Sequence, residues 1–228
     1  MFSWLDFYKN KLSTYKNFKV DPTKLLEKLK IKDKVLYDKV IDAGGLEILK
    51  EKFFHTIELS DGCFIPGTFD MKKHLVAMKF PTFDKQNVLD VGCADGAVTL
   101  EIAKTANHVT SMDAHSTPVK HVEFLSNIFD LNHKISAVEC DFHAYKHEGK
   151  LFDVIVVMHV LCHHPKIGML SFLDKADECI NDNGILLVCD NTHDVKMSLY
   201  NRYNVKVIGE SQLEGIKGPS ILFECRKK

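Results

Sequence analysis

The sequence predicts an α/β fold in which a seven-stranded, mostly parallel sheet carries helices on both faces. Two observations lead to this prediction. From residue 88 onward, short apolar segments alternate with amphipathic ones, a pattern typical of parallel strands joined by crossover helices. The chain has 228 residues, of which 45% are hydrophobic and 27% are charged, so it can form one domain with a substantial core plus an additional segment.

The part of the chain before this sheet is predicted to be mostly helical. Asp21 and Pro22 are a suitable N-cap and first-turn pair, and Gly44 with Gly45 should end a later helix. The helices of this part are predicted at residues 22–30, 33–42, 46–54 and 71–80.

The alternation of apolar and amphipathic segments along the rest of the chain predicts the strands and helices of the core. The strands are predicted at residues 88–91, 108–112, 135–140, 153–158, 185–189, 203–208 and 221–225. The helices are predicted at residues 97–104, 117–129, 167–181 and 193–202. Pro118 lies in the first turn of one helix, and Gly184 separates the helix at 167–181 from the next strand.

Composition narrows the function classes. The seven cysteines are scattered without a C-x-x-C pair, which fits a reducing cytoplasm. No apolar run approaches the ~20 residues that span a bilayer, and the N-terminus lacks the pattern of a secretory signal. The net charge of −1 disfavours a nucleic-acid partner without excluding one.

The loop after the first core strand has the sequence GCADG at residues 92–96. Glycine at both ends lets a ligand approach bare backbone, and the next helix presents unpaired N–H groups. The loop lacks the G-x-G-x-x-G spacing of a dinucleotide site. Asp90 and Asp95 would repel a pyrophosphate but suit an ammonium group and ribose hydroxyls. This pattern strongly resembles the class I S-adenosylmethionine (SAM) methyltransferases.

The resemblance implies a Rossmann-like methyltransferase core, SAM as cofactor, and SAM contacts where the strands end. Asp113 follows Asp90 at about the ~20-residue offset of a ribose-binding acid. Asp141 would hydrogen-bond the adenine amino group while Phe142 packs on the ring. The predicted cofactor-binding residues are Asp90, Gly92, Cys93, Ala94, Asp95, Gly96, Asp113, Ala114, Asp141, Phe142 and Met158.

Three histidines follow the strand at 153–158: His159, His163 and His164. Imidazole titrates near neutral pH, so each is a candidate base that takes a proton from the methyl acceptor. Capping a helix, or binding one another through water, is an equal alternative. A zinc site built from these histidines and Cys162 matches no closed structural spacing. The strand ends in Met158-His159 rather than in the acid typical of magnesium-dependent methyltransferases, so we expect metal-independent transfer.

Residues 54–70, together with the motifs VLDVGCADG and VLCHHP, resemble a bacterial group related to the tRNA wobble-uridine 5-oxyacetate methyltransferase, which uses carboxy-SAM. That enzyme has a tyrosine where this chain has Cys162, a poor hydrogen-bond donor, so ordinary SAM is expected. By this resemblance residues 54–70 form a lid, within a helical extension at 1–86 that precedes the core at 87–228.

Substrate contacts are predicted on the lid and after the strand at 185–189, where Asp190 serves either the substrate or a helix cap. The predicted substrate-binding residues are His55, Pro66, Gly67, Asp190 and Asn191. The resulting hypothesis is a cytoplasmic SAM-dependent methyltransferase that modifies oxygen or nitrogen of a small polar metabolite, such as a sugar, a phosphorylated intermediate or a natural-product intermediate. A tRNA wobble-uridine methyltransferase and a non-catalytic SAM-binding protein are the alternatives.

Overall fold

The computed structural model describes residues 21–212 and 218–228. Contacts between residues divide the chain into two compact units, one ending at Asp70 and one covering Met71–Lys228. This division falls before the predicted boundary at residue 86, because the helix α4 (Met71–Ala77) packs on elements of the core. No helix within the described ranges is both long and apolar enough to cross a membrane.

The first unit contains three helices and a hairpin within its described residues. They are α1 (Pro22–Lys32), α2 (Lys34–Asp42), α3 (Gly45–Ile48), β1 (Ile57–Ser60) and β2 (Cys63–Ile65), with the two strands antiparallel. As predicted, the side chain of the N-cap residue before α1 accepts hydrogen bonds from the backbone of the first turn.

The prediction of a helix over residues 46–54 is wrong, because α3 ends after one turn. The backbone of Phe54 instead accepts hydrogen bonds from the N–H groups of Thr68 and Phe69, and Thr56 N–H donates to the Phe69 carbonyl. These extended-chain hydrogen bonds pair residues that lie far apart in sequence, which a helical pattern cannot reveal.

The second unit is built on a seven-stranded sheet, counted over the described residues. Its strands are β3 (Asn87–Val91), β4 (His108–Asp113), β5 (Ile135–Glu139), β6 (Phe152–Met158), β7 (Ile180–Asp190), β8 (Tyr203–Ser211) and β9 (Ser220–Lys227). Their spatial order is β5-β4-β3-β6-β7-β9-β8, in which β9 is antiparallel to both neighbours. The other neighbouring pairs are parallel, and this confirms the predicted fold class.

The remaining helices connect these strands. They are α5 (Ala97–Ala103), α6 (Ser116–Ile128), α7 (Lys166–Cys179) and α8 (His193–Arg202), with short 3-10 turns at Phe142–Ala144 and Leu161–His163. The helix α7 is shorter than predicted and β7 begins earlier, because Ile180 already pairs with Phe152 across a register shift in β6. The core packs fully buried residues such as Leu89, Ile155 and Leu173.

Candidate cofactor and acceptor site

The sheet has its topological switch point between β3 and β6. The chain runs from β3 outward to β4 and β5, and then returns to the other side of β3 as β6. In open α/β sheets, ligands bind beyond the carboxyl ends of the strands at this point. The predicted cofactor residues of the core lie at or just after the carboxyl ends of β3, β4, β5 and β6, and are therefore brought to one edge of the sheet.

The GCADG loop has an unusual backbone. Gly92 and Gly96 have φ angles of +72° and +85°, and Ala94 between them has +48°. The N–H groups of Gly92 and Cys93 both donate to the carbonyl of Met112, at 2.8 and 3.0 Å. Because these two N–H groups already donate to a carbonyl of the protein, they are not free to bind a phosphate, and the loop is not a phosphate-binding nest. This agrees with the sequence argument against a dinucleotide.

The first glycine also lies in tight contact with the segment after β6. A Cβ atom at Gly92 would stand 2.5 Å from Cγ2 of Val160, well inside normal van der Waals contact. A Cβ at Gly96 would stand 2.9 Å from Cγ2 of Val122 in α6. Both positions therefore need glycine for its conformational freedom and for its lack of a side chain.

Asp90 supports the loop from inside the protein. The residue is only 1% exposed, and its carboxylate accepts a 2.6 Å hydrogen bond from the Thr99 hydroxyl, which also contacts the Ser111 hydroxyl at 2.9 Å. This chain of buried polar groups joins β3, α5 and β4. A direct contact of Asp90 with the cofactor stays a prediction.

Asp113 lies at the end of β4 and holds the neighbouring loop. Its carboxylate accepts hydrogen bonds from the N–H groups of Ala94 at 3.2 Å and His115 at 3.1 Å. Burial raises the pKa of this carboxyl, while the backbone hydrogen bonds, including one to Ala114, oppose the rise. A carboxylate has about four acceptor sites, so Asp113 retains one for a ribose hydroxyl.

Two further residues of the loop are buried. Cys93 is 3% exposed, as is Asp95. Burial raises the pKa of the Cys93 thiol well above its ordinary value, and the nearby Asp90 raises it further. Cys93 is therefore a neutral thiol that fills space rather than a nucleophile.

After β5 the chain turns at the position predicted for adenine binding. Asp141 caps the 3-10 turn by accepting a 2.9 Å hydrogen bond from the N–H of His143. Phe142 is buried, and its ring centroid lies 4.6 Å from that of Phe172 in α7. The exposed Asp141 can reach a ligand, whereas Phe142 forms part of the core below it.

Two of the three predicted base candidates, His159 and His164, contact different groups. His159 follows the buried Met158 with a φ of +56°, and its Nε2 lies 3.5 Å from both His74 Nε2 and Cys189 Sγ. The ring of His164 lies on the other side of the segment, 5.8 Å from His143 and 5.7 Å from Phe172. Burial lowers the pKa of His164, and His143 lowers it further.

Asp190 ties together the segments that follow β6 and β7. One carboxylate oxygen accepts from the Cys162 N–H at 2.9 Å. The other accepts from the N–H groups of Asn191 and Thr192 and from the Thr192 hydroxyl, at 2.8 to 3.0 Å. Of the two readings left open by the sequence, this arrangement favours a structural role for Asp190, while Asn191 stays a predicted substrate residue.

A small cleft opens beside this junction. It measures about 90 Å³, and its polar lining includes His164, Lys166, Thr192 and Asp194. A larger groove of about 650 Å³, which includes Lys85 and Asp153, lies at the amino ends of β3 and β6. Ligands of parallel α/β sheets bind at the carboxyl ends, so we take the smaller cleft as the acceptor side.

The predicted substrate residues of the first unit lie together. A Cβ at Gly67 would stand 2.0 Å from the carbonyl carbon of His55, and the Gly67 N–H donates to the Thr56 hydroxyl at 3.2 Å. His55 is buried, and Pro66 directly precedes this contact. Only glycine fits this close approach of two backbones; the substrate role of this segment stays a prediction.

Sequence reasoning missed the buried group formed by His74, His159 and Cys189. The pairing of Met158 with Cys189 across β6 and β7 would have placed His159 next to Cys189. His74 lies on α4, whose packing on the sheet no local pattern specifies.

Comparison with known proteins identifies the family. Residues 69–210, more than half of the chain, match the family model for a methyltransferase domain. The chain belongs to the SAM-dependent methyltransferases. This family membership makes SAM the cofactor, as the sequence predicted. That SAM binds at the site described above stays a prediction.

Individual relatives are distant. The sterol 24-C-methyltransferase of Saccharomyces cerevisiae is 26% identical over 124 residues, covering 54% of this chain and 32% of that protein. The ubiquinone biosynthesis O-methyltransferase of Bartonella tribocorum is 25% identical over 108 residues, covering 46% of this chain and 41% of that protein. The chain thus matches less than half the length of either curated relative.

Solved structures share the fold. The N-methyltransferase NodS from Bradyrhizobium japonicum, in complex with S-adenosylhomocysteine (SAH), superposes with a TM-score of 0.54 at 19% identity, covering 67% of this chain and 82% of NodS. This similarity supports the fold assignment alone.

Proposed function

We propose that the chain is an enzyme that transfers the SAM methyl group to oxygen or nitrogen of a small polar metabolite in the cytoplasm. A sugar, a phosphorylated intermediate or a natural-product intermediate is the expected acceptor class. The observation that carries the proposal is the loop between Gly92 and Gly96 at the switch point, with Asp113 beside it. Its geometry supports a nucleoside with a charged amino-acid tail rather than a phosphate.

Methyl transfer from SAM needs little more than the alignment of the acceptor atom with the methyl group. The acceptor atom attacks the methyl carbon in line with the sulfonium, the bond to sulfur breaks, and SAH leaves as a neutral thioether. Holding the two reactants in this geometry supplies much of the rate enhancement. We propose transfer without a catalytic metal ion, because β6 ends in Met158-His159 rather than in the acid typical of magnesium-dependent methyltransferases.

His164 is the best-placed candidate for removing the acceptor proton. It lines the small cleft on the acceptor side, and its lowered pKa keeps the imidazole neutral, as a base requires. His163 directly precedes it on the same turn and is the second candidate. The ring of His159 faces His74 and Cys189, which makes His159 the weakest of the three.

The net charge and Cys162 support the proposed acceptor class and the use of ordinary SAM. Relatives and structural neighbours include methyltransferases named for sterols, for ubiquinone biosynthesis and for N-methylation, so a shared donor does not define the acceptor. The net charge of −1 supports a metabolite over tRNA. The Cys162 thiol contacts the carbonyl of His159 at 3.4 Å and offers no strong donor for an extra carboxylate, which supports SAM over carboxy-SAM.

Methyl transfer from radiolabelled SAM tests this proposal. The purified chain is incubated with a low-molecular-mass metabolite extract and, separately, with total tRNA. We expect labelled small molecules and stoichiometric SAH. Label in tRNA would instead support the wobble-uridine alternative, and tight SAH binding without transfer to either pool would support a non-catalytic binding protein.

Variants of the histidines test the base. We expect His164→Gln to lower kcat by about 10²- to 10⁴-fold, the usual contribution of a general base. The exposed His133 provides a control, because His133→Gln should leave kcat unchanged. Full activity in a triple variant with His159, His163 and His164 all replaced by Gln would leave alignment alone as the source of catalysis.

A further inference from the structure

Three side chains of the second unit converge beneath the carboxyl ends of β6 and β7. His74 of α4 and Cys189 of β7 are 2% and 0% exposed, and His159 is half-buried. Their potential ligand atoms are Nε2 of each histidine and the cysteine sulfur, and these atoms lie within 4.8 Å of one another. Neither the cofactor loop nor the acceptor cleft uses this group.

The separations match those around a metal ion. The two Nε2 atoms are 3.5 Å apart, and Cys189 Sγ lies 3.5 Å from His159 Nε2 and 4.0 Å from His74 Nε2. Zinc bonds of about 2.0–2.1 Å to nitrogen and 2.3 Å to sulfur, arranged tetrahedrally, separate two nitrogens by roughly 3.4 Å and a nitrogen from sulfur by roughly 3.6 Å. Only the 4.0 Å edge must shorten, by a few tenths of an ångström.

The neighbouring groups favour a soft cation. The sulfur of Met78, one helical turn after His74, lies 3.4 Å from Cys189 Sγ. Two imidazoles, one thiolate and a nearby thioether suit Zn²⁺ or Cu⁺ rather than Mg²⁺ or Ca²⁺, which prefer oxygen ligands. Asp190 follows Cys189 directly, but its carboxylate is committed to four donors of the adjoining loops.

The backbone aims His159 into this group. Its φ of +56° is uncommon for a residue other than glycine, although histidine is among the residue types that adopt it most often, and its N–H donates to the Cys189 carbonyl at 2.8 Å. Residues with side chains in this conformation tend to occur at functional sites. Here the conformation turns the ring toward His74 and away from the acceptor cleft.

We propose that His74, His159 and Cys189 bind one thiophilic d¹⁰ ion, Zn²⁺ or Cu⁺. Binding releases the thiol proton to solvent and forms bonds to both imidazoles and the thiolate. The ion joins α4 to the ends of β6 and β7 and fixes the segment that leads to the acceptor cleft. This site departs from the sequence expectation of no bound metal. The ion takes no part in the methyl displacement itself, so metal binding can be tested apart from the proposed function.

Metal content of the purified full chain tests the proposal directly. The protein is stripped with a chelator, loaded with Zn²⁺ or, under reducing anaerobic conditions, with Cu⁺, and passed through a desalting column before elemental analysis. We expect about one ion per chain, with the preferred metal decided by competition against a chromophoric chelator of known affinity. Loading with Co²⁺ should also give the charge-transfer absorption of a thiolate–cobalt bond.

Variants assign the ligands. We expect Cys189→Ser and His159→Asn each to weaken binding by more than about 100-fold, beyond the 10- to 100-fold typical of residues that only hydrogen-bond to a metal ligand. Cys225→Ser is the control, since Cys225 is equally buried, at 1% exposure, on the neighbouring strand β9. Less than a tenth of an ion in the loaded wild-type chain would overturn the proposal, as would a Co²⁺ adduct without thiolate absorption. Neither result depends on the folding of a variant.

Discussion

Replacing Gly92 with alanine separates the two reasons why the cofactor loop needs glycine. Its φ of +72° costs an L-residue about 1–2 kcal/mol. The new Cβ would also lie 2.5 Å from Cγ2 of Val160, and forcing an extra methyl into such a contact costs about 1–3 kcal/mol. Gly92→Ala should therefore lower the free energy of unfolding by about 2–5 kcal/mol.

Two companion variants isolate each contribution. Gly149 has a φ of +79° with nothing within 4 Å of its Cβ position, so Gly149→Ala should lose only the conformational part, about 1–2 kcal/mol. Adding Val160→Ala to Gly92→Ala removes the side chain that the new Cβ would meet, so the double variant should regain the stability lost to the steric clash. A double-mutant cycle should therefore show a favourable coupling energy between the two positions.

Urea denaturation followed by circular dichroism measures these differences, and the melting temperature gives a second reading. A loss of 2–5 kcal/mol corresponds to a drop of roughly 4–20 °C in Tm for a chain of this size. The reasoning fails if Gly92→Ala is no less stable than Gly149→Ala, or if Val160→Ala shows no coupling with it.

Three further predictions follow from buried polar groups and can be measured in the same way. Asp190→Ala leaves four donors without their acceptor and should lower the free energy of unfolding by at least about 3 kcal/mol. The control is Asp194→Ala, at the exposed start of α8, which should change this free energy by no more than about 0.5 kcal/mol. Burial holds the pKa of His164 in the folded chain below its ordinary value of 6.5. Between the folded and the unfolded pKa the unfolded chain binds more protons, so the stability of the wild-type chain should fall as the pH drops through this window. An equally steep fall in His164→Gln would show that His164 is not the group responsible. Thr99→Val removes the hydroxyl bound to Asp90 and should cost about 1–3 kcal/mol, and a cost below 0.5 kcal/mol would show that this hydrogen bond is not needed.

The sequence was enough to predict the positions of the core strands and of the glycine loop after β3, because both depend on local patterns. A short continuous apolar run marks a strand that is buried on both faces of the sheet, as in β3 and β6. Gly92 and Gly96 stand at the two turns of the loop that need positive φ, and a spacing rule was enough to find Asp113.

The parts that sequence reasoning missed depend on contacts between distant segments. The helix expected at residues 46–54 gives way to pairing of Phe54 with Thr68 and Phe69. The three histidines after β6 look alike in sequence, yet the left-handed conformation of His159 sends its ring to one side and leaves His164 on the other. No propensity or spacing contains that information.

Calorimetric titration with SAH tests the central claim, that this sheet edge binds the SAM nucleoside through the GCADG loop and Asp113. We expect SAH to bind the wild-type chain at one site and NAD⁺ to give no measurable heat. The Asp113→Ala variant, checked for folding by circular dichroism, should bind SAH at least about 10-fold more weakly, because a vicinal diol loses its charged acceptor. Unchanged SAH affinity in the folded variant, or binding of NAD⁺ in place of SAH, would contradict the account.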